Sequence, residues 1–171
     1  MFTLLLFTIA VNKIDTEIYN AVDRIFYQDH SFSYFDLLNQ GISFTSGVEN
    51  SFITLTSYGI YEGKNLYDFS LLYSFFLGNE IFIGITKYLI NRKRPDGTGY
   101  RFTSSFPSGH TANAFFIATL FSFKDRRIAI PMYVWAFSCG FSRIYLKKHW
   151  FLDVVAGAII GSSFGFFASK I

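Results

Sequence analysis

Charged residues and cysteine are scarce in this chain. Asp, Glu, Lys and Arg make up 16% of its 171 residues, against about a quarter in ordinary soluble domains, whereas hydrophobic residues make up 51%. The single cysteine, Cys139, cannot form an internal disulfide, and we interpret it as a small core residue. A formal net charge of +3 gives no reason to expect a nucleic-acid partner. No internal repeat or low-complexity segment is evident, which favours one domain over residues 1–171.

Aromatic residues, in contrast, are abundant, with 23 Phe and 11 Tyr. Aromatic side chains at this density suit a buried core and also lipid contact. Four apolar stretches follow one another in the second part of the chain, at residues 69–90, 111–123, 128–146 and 150–169. They predict an all-α fold, a transmembrane bundle of about five to six helices. Residues 69–171 would be its catalytic core, and residues 1–68 would form short or interfacial helices.

The first apolar segment, residues 1–11, is too short to span a bilayer as a helix, which takes ~20 residues. It suits the core of a signal peptide, although no Lys or Arg precedes it. It also suits an interfacial anchor or the start of an amphipathic helix. In the last apolar stretch, Gly157, Gly161 and Gly165 form a ladder of small residues that predicts close helix packing.

A first polar motif ends the stretch at residues 69–90. Lys87 and Arg94 are seven residues apart, so on one helix both would point the same way, and Pro95 prevents the helix from continuing. Two cations on one face at a helix end suit a doubly charged anion. Basic residues at this position also stabilise the helix dipole, so the pair alone is not specific.

A second motif, Pro107-Ser108-Gly109-His110, directly precedes an apolar run and is typical of a helix start. Free N–H groups at a helix N-terminus bind anions, Ser108 adds a hydroxyl donor and Gly109 permits close approach of the backbone. His110 would then lie beside a bound phosphate and could donate a proton to it. A capped helix with an incidental histidine is the alternative.

A third motif contains Ser142, Arg143, His149 and Asp153. His149 and Asp153 are four positions apart in the sequence, so on one helix they would share a face, where the carboxylate could hold one ring nitrogen and leave the other unprotonated for nucleophilic attack. Arg143 adds a planar, bidentate phosphate donor. An ordinary helical His–Asp pair is again the alternative.

Alternating helix directions place all three motifs on the same side of a bundle. The charged turn at residues 124–127, which has three basic residues and Asp125, falls on the other side together with Lys170, and the positive-inside rule assigns that side to the cytoplasm. The side with the motifs carries even more positive charge, which we interpret as the phosphate site and not as a topology signal. We therefore expect an integral membrane protein, in a bacterial inner membrane, with its site facing the periplasm or exterior.

Together, the order and spacing of these motifs resemble the three signatures of the type 2 phosphatidic acid phosphatase superfamily, over roughly residues 69–165. The resemblance implies a metal-independent phosphatase, without a cofactor, whose substrate is a phospholipid or isoprenoid phosphate. It implies that His149 is the nucleophile, that Asp153 orients it and that His110 is the general acid. It also implies a phosphate-binding set: Lys87, Arg94, Ser108, Gly109 and Arg143.

Three other functions are compatible with these motifs. A soluble, exported acid phosphatase and a vanadate-dependent haloperoxidase belong to related families, although haloperoxidases are usually much longer. A non-enzymatic membrane protein could retain the motifs by descent. The sequence predicts neither the substrate's headgroup nor the oligomeric state.

Overall fold

The computed structural model describes residues 2–27 and 34–171, and these residues form seven α-helices and no β-strand. The helices are α1 (Phe2–Phe26), α2 (Tyr34–Thr45), α3 (Val48–Tyr61), α4 (Leu66–Ile90), α5 (Gly109–Lys124), α6 (Ala129–Tyr145) and α7 (Phe151–Ala168). The prediction of an all-α fold is confirmed.

The described residues form seven helices against the expected five to six, because the first third of the chain is more regular than its polar composition suggests. The apolar residues 2–11 continue without a break into the polar part of α1, which is 25 residues long. Gly47, in an extended conformation, then separates α2 from α3. Polar residues on the exposed face of a helix leave the helix intact, so composition alone underestimates its length.

Helix α5 is the central helix of the bundle. Eleven of its 16 residues are buried, including Phe116, Ile117 and Leu120. Cys139 of α6 is also buried and packs against α5 residues, as expected for a small core residue. The N-terminus of α5 is therefore fixed by packing along the whole helix.

The predicted glycine ladder of α7 packs directly on the backbone of α5. A Cβ atom on Gly157 would lie 2.5 Å from the carbonyl oxygen of Ser108, and one on Gly161 would lie 1.9 Å from that of Ala112. A Cβ on Gly165 would meet a third α5 carbonyl at 2.4 Å. Only glycine allows this approach, which brings the N-termini of α5 and α7 together.

Two helices in the described part of the chain are long and apolar enough to cross a membrane, α4 and α7. Helices α5 and α6, which the sequence also suggests as spans, have 16 and 17 residues. One face of α6 nevertheless exposes an apolar row at helical spacing, formed by Ile130, Val134, Phe137 and Phe141. An exposed apolar row of this kind is typical of lipid contact or of a protein interface.

Candidate active site

His149 lies in the short loop between α6 and α7, and its side chain is buried. Its Nδ1 atom is 2.7 Å from the carbonyl oxygen of Ser105. A carbonyl oxygen only accepts hydrogen bonds, so Nδ1 carries the proton and donates it. Nε2 of the neutral ring is then unprotonated, as nucleophilic attack requires.

The end of α6 determines where His149 lies. The backbone N–H of His149 donates to the carbonyl oxygen of Arg143 at 3.2 Å, and that of Lys148 donates to the same oxygen at 3.0 Å. Lys147 adopts a positive φ of 55° within this turn. The spacing between Arg143 and His149 in the motif therefore corresponds to one tight turn that returns the chain to the helix end.

Asp153 lies in the first turn of α7 and is completely buried. The two residues do not share a helix face, in contrast to the prediction, because His149 precedes α7. The carboxylate is 3.9 Å from Nδ1 and does not make the expected hydrogen bond. It accepts instead from the Ser105 hydroxyl, from the backbone N–H of Trp150 at 2.9 Å and from Arg92 at 2.7 Å. The carboxylate thus reaches the imidazole through Ser105.

Lys87 and Arg94 do not share a helix, in contrast to the prediction. Helix α4 ends at Ile90 because Asn91 adopts a left-handed conformation, with φ of 49°. Arg94 lies in the following loop, where its Nε donates to the carbonyl oxygen of Thr103 at 3.0 Å. Lys87 is still helical, and its Nζ donates to the carbonyl oxygen of Ser104 at 2.7 Å. The same loop therefore holds both cations.

Arg143 is the most enclosed of the three cations and is 8% exposed. One terminal nitrogen donates to the hydroxyl of Ser43 on α2. Its Nε is buried and has no hydrogen-bond partner among the described residues. A buried N–H without a partner is costly, and an anion bound beside it would supply the missing acceptor.

The cations Lys87, Arg94 and Arg143 act together on both histidines. Burial lowers the pKa of His149 well below 6.5, and the charges of Lys87, Arg143 and Arg94 lower it further, whereas the bond to Ser105 opposes the shift. The same three charges also lower the pKa of His110. Both histidines therefore lie beside one cationic cluster, a setting that favours an anion.

The N-terminus of α5 completes this cluster. Gly109 and His110 are its first two residues, and Ser108, immediately before them, is fully buried. The Ser108 side chain makes no capping bond to the helix, so it does not satisfy the first N–H groups of α5. Its backbone N–H donates to the carbonyl oxygen of Asp153 at 2.9 Å, which joins the second motif to the third.

Four residues around the site were not predicted as site residues: Asp15, Ser43, Arg92 and Ser105. Only Arg92 had a signal, because it belongs to the basic run that contains Arg94. The others lie in segments without a recognisable motif. The described residues contain no group of three or more His, Cys, Asp or Glu side chains that could hold a metal ion.

Comparison with solved structures finds two close matches in fold. The crystal structure of Aquifex aeolicus LpxE superposes with a TM-score of 0.75 and 25% identity over 91% of this chain and 94% of that chain. That of a transmembrane PAP2 type phosphatidylglycerolphosphate phosphatase from Bacillus subtilis superposes with a TM-score of 0.77 and 24% identity, over 94% and 85%. The second similarity concerns the fold alone.

Curated relatives match a shorter part. The lipid A 1-phosphatase of Porphyromonas gingivalis is 38% identical over 108 residues, which are 59% of this chain and 24% of the relative. The lipid A 4'-phosphatase of Bacteroides thetaiotaomicron is 41% identical over 76 residues (43% and 31%). The undecaprenyl-diphosphatase of Bacillus subtilis is 35% identical over 63 residues (37% and 33%). The matched segments thus span about a quarter to a third of these relatives' lengths.

The family model of the PAP2 superfamily matches residues 69–171, from the first turn of α4 to the C-terminus. This range contains His110, His149, Asp153 and the three cations beside them. It leaves out helices α1 to α3, which supply Asp15 and Ser43. By this match over more than half of its length, the chain belongs to the PAP2 superfamily.

Proposed function

We propose that this protein is a membrane phosphatase that hydrolyses a phosphate monoester or diphosphate of a lipid through a phospho-histidine. The observation that carries the proposal is the state of His149. Its ring is buried beside three cations, and the carbonyl oxygen of Ser105 holds the proton on Nδ1. A neutral imidazole with an unprotonated Nε2 next to an anion-binding cluster is suited to attack phosphorus.

In the proposed reaction, Nε2 of His149 forms a bond to phosphorus while the bond from phosphorus to the leaving oxygen breaks. Burial and the three cations lower the pKa of His110 to about 4, and the negative charge of the bound phosphate would raise it again, so that a protonated His110 gives its proton to that oxygen. His110 then removes a proton from a water molecule, whose oxygen attacks phosphorus, and the P–N bond breaks to release inorganic phosphate. Lys87, Arg94 and Arg143 would stabilise the charge on the phosphoryl oxygens, and positioning of this kind accounts for most of the catalysis in phosphoryl transfer.

Ser108 and Gly109 would complete the phosphate site with the hydroxyl and backbone N–H groups at the start of α5. No step of this reaction requires a metal ion or a cofactor, and we expect activity to persist in excess EDTA. Loss of activity in EDTA that is restored by one divalent cation would contradict this mechanism.

We place the protein in a membrane, with α4 and α7 as spans. The opposite end of the bundle is basic: Lys64 Nζ donates to the carbonyl oxygen of Ile171 at 3.3 Å, and Lys170 Nζ lies 5.5 Å from the ring centroid of Phe123. The positive-inside rule assigns this end to the cytoplasm. The site would then face the periplasm or exterior of a bacterial inner membrane.

The substrate class follows from this placement and from the relatives. Two of these relatives are named for lipid A and one for undecaprenyl diphosphate, which share a phosphate group on a membrane lipid. We therefore propose a lipid phosphate monoester or diphosphate as substrate. Leu89 and Ile90, which are exposed in the last turn of α4 next to Lys87, would hold the lipid chains in the bilayer while the phosphate enters the site.

Phosphate release in detergent tests the proposal. The panel contains phosphatidic acid, phosphatidylglycerol phosphate, a polyprenyl diphosphate, lipid A and a soluble phosphomonoester, each with wild type and with His149→Ala. We expect the wild type to prefer one of the lipids and the variant to be inactive. Equal hydrolysis of the soluble ester would indicate a non-specific phosphatase, and peroxide-dependent halide oxidation after addition of vanadate would indicate a haloperoxidase.

A further inference from the structure

A fourth basic side chain, Arg92, lies next to the cationic cluster but is bound differently. One terminal nitrogen donates to Asp15 at 2.6 Å and the other donates to Asp153 at 2.7 Å. The guanidinium lies 5.4 Å from the ring centroid of Trp150. Both ends of its planar fork are therefore engaged by carboxylates, whereas Arg143 keeps a buried N–H without a partner among the described residues.

Both carboxylates are almost fully buried: the side chain of Asp15 is 1% exposed and that of Asp153 is 0% exposed, against 20% for Arg92. Burying ionised groups costs desolvation energy, and well-packed apolar side chains are often as stabilising as a buried ion pair. Stability therefore does not explain why the site contains this arrangement. What it supplies is a fixed position for Asp153.

Arg92 also reaches the nucleophile through Ser105. The backbone N–H of Ser105 donates to the carbonyl oxygen of Arg92 at 2.7 Å. The Ser105 hydroxyl donates to Asp153, which the Arg92 side chain holds. The Ser105 carbonyl oxygen accepts from Nδ1 of His149 at 2.7 Å. Every polar group of Ser105 is thus engaged in a path that joins Arg92 to the imidazole.

Asp15 connects this path to α1. Its second carboxylate oxygen accepts the backbone N–H of Leu152 at 2.9 Å, in the first turn of α7 and next to Asp153. A carboxylate at this position satisfies a free N–H and favours the positive end of the helix dipole. Asp15 lies outside the residues that the family model matches. Helix α1 therefore contributes a buried charge to a site whose motifs all lie further along the chain.

We propose that Arg92 and Asp15 are positioning residues, which fix Asp153 and Ser105 and thereby orient the ring of His149 for attack. The inference rests on the proposed phosphatase function. The side chains of Arg92 and Asp15 bind each other, Asp153 and the backbone of Leu152, so both would act on the rate of attack by holding the nucleophile in place.

Three variants test this role: Arg92→Met, Arg92→Lys and Asp15→Asn. The measurements are kcat and KM for the best lipid substrate, inhibition by orthovanadate, which mimics the pentacoordinate transition state, and Tm in detergent. Loss of an outer hydrogen-bond partner of a metal ligand typically costs about 10- to 100-fold, and we expect a comparable loss for an outer partner of this nucleophile. We expect Arg92→Met to lower kcat and weaken vanadate inhibition by similar factors in this range, with KM within about twofold. Arg92→Lys should recover part of kcat.

Asp23→Asn is the matched control. Asp23 also lies on α1 and pairs with Lys147, two residues before His149, but it has no contact with Asp153 in the described ion pairs. We expect its kcat to match wild type. Asp15→Asn keeps a side chain of the same size near Leu152 and Arg92 but loses the negative charge. If Arg92→Met does not fold, the kcat of Asp15→Asn tests whether this ion pair positions the nucleophile.

Four outcomes would overturn the inference. If Asp15→Asn and Asp23→Asn lower kcat equally, the ion pairs only anchor α1. If Arg92→Met raises KM and leaves kcat unchanged, Arg92 binds the substrate phosphate. If kcat and vanadate inhibition are unchanged in Arg92→Met and in Asp15→Asn, neither residue positions the nucleophile. If vanadate inhibition is unchanged although kcat falls, the nucleophile is not misplaced. Failure of the proposed function itself is distinguishable, because the wild type would then release no phosphate.

Discussion

The carboxylate of Asp153 and Nδ1 of His149 are 3.9 Å apart, beyond hydrogen-bonding distance. The Ser105 residue lies between them, with its hydroxyl on the carboxylate and its carbonyl oxygen on the imidazole. The orienting group for the proposed nucleophile is therefore a backbone carbonyl, which stays neutral, and the carboxylate holds that carbonyl's residue in place. Because Ser105 lies between them, substitution of Asp153 and substitution of Ser105 should lower kcat by different amounts, which would not follow from a direct His–Asp pair.

Substitution of the nucleophile should abolish the reaction. His149→Ala removes the imidazole whose Nδ1 is held by Ser105, so the proposed phospho-histidine cannot form and phosphate release should fall to background. Lys148→Gln is the control, because its ammonium pairs with Asp96 at 3.1 Å at the surface. The control should keep wild-type activity. Phosphate release that survives His149→Ala would exclude His149 as the nucleophile.

Asp153→Ala should reduce kcat severely but leave measurable activity, because the Ser105 carbonyl can still hold Nδ1. Ser105→Ala should cost less, since it removes the hydroxyl bond to Asp153 and keeps the carbonyl. The expected order of loss is His149→Ala, then Asp153→Ala, then Ser105→Ala, measured as kcat on one lipid substrate. Asparagine at position 153 keeps the volume and serves as a second variant. Wild-type kcat in Ser105→Ala with a large loss in Asp153→Ala would show that the carboxylate acts on His149 directly.

The structure brings the residues of the three motifs together, but several of their contacts differ from those that the spacing predicts. The motif spacing identifies His110, His149 and Asp153 because a tight turn and a helix N-terminus impose fixed intervals along the chain. It does not reveal that α4 ends at Ile90, since Asn91 in a left-handed conformation is compatible with the same spacing. It also gives no signal for Asp15, whose partners Arg92 and Leu152 lie 77 and 137 residues away.

For the fold, too, local features could be predicted from the sequence, whereas the pairing of helices could not. The period of the apolar stretches and the glycine ladder were sufficient to predict an all-α bundle with close helix packing, because both are local properties of the chain. That α5 is the partner of the ladder could not be predicted, because small residues on one helix allow any close neighbour. The pairing depends on the complementary surface of α5, which only the tertiary structure shows.

The pH dependence of the reaction should reflect the lowered pKa of His149. The fold favours the neutral ring, so protonation of the nucleophile should begin only well below pH 6.5. The free energy of unfolding should also fall in acid: the contribution of His149 is fully present above pH 6.5 and is lost as the pH falls towards the lowered pKa. We therefore expect the acid limb of kcat/KM to show no inhibition from His149 near pH 6.5.

Removal of the positive charge of Arg94 should shift the acid limb of the pH profile of kcat/KM. Arg94 is one of the cations that lower the pKa of His149, so Arg94→Met should raise that pKa and shift the acid limb of the residual activity towards neutral pH. Both enzymes are compared on one substrate, which cancels the titration of the substrate phosphate. Arg127→Met, at the opposite end of the bundle, is the control and should leave the profile unchanged. An unshifted limb in Arg94→Met would show that another group limits the rate in acid.

The contact between α5 and α7 predicts a stability effect at Gly161. A methyl group there would lie 1.9 Å from the carbonyl oxygen of Ala112, a buried backbone atom that cannot turn away as a side chain can. Overpacking typically costs about 1–3 kcal/mol, and a backbone obstacle places Gly161→Ala at the upper end or beyond. Tm in detergent should fall, and kcat should fall with it, because the two helices carry Ser108 and Asp153.

Gly41→Ala is the matched control, because it makes the same substitution inside helix α2, where a methyl group would meet nothing within 4 Å. Alanine is favoured over glycine in a helix by roughly 0.5–1 kcal/mol, so the Tm of this variant should equal or exceed that of wild type. A wild-type Tm in Gly161→Ala would mean that α5 and α7 can separate without cost. Close packing of α5 against α7 would then not be the cause of the contact between the second and third motifs.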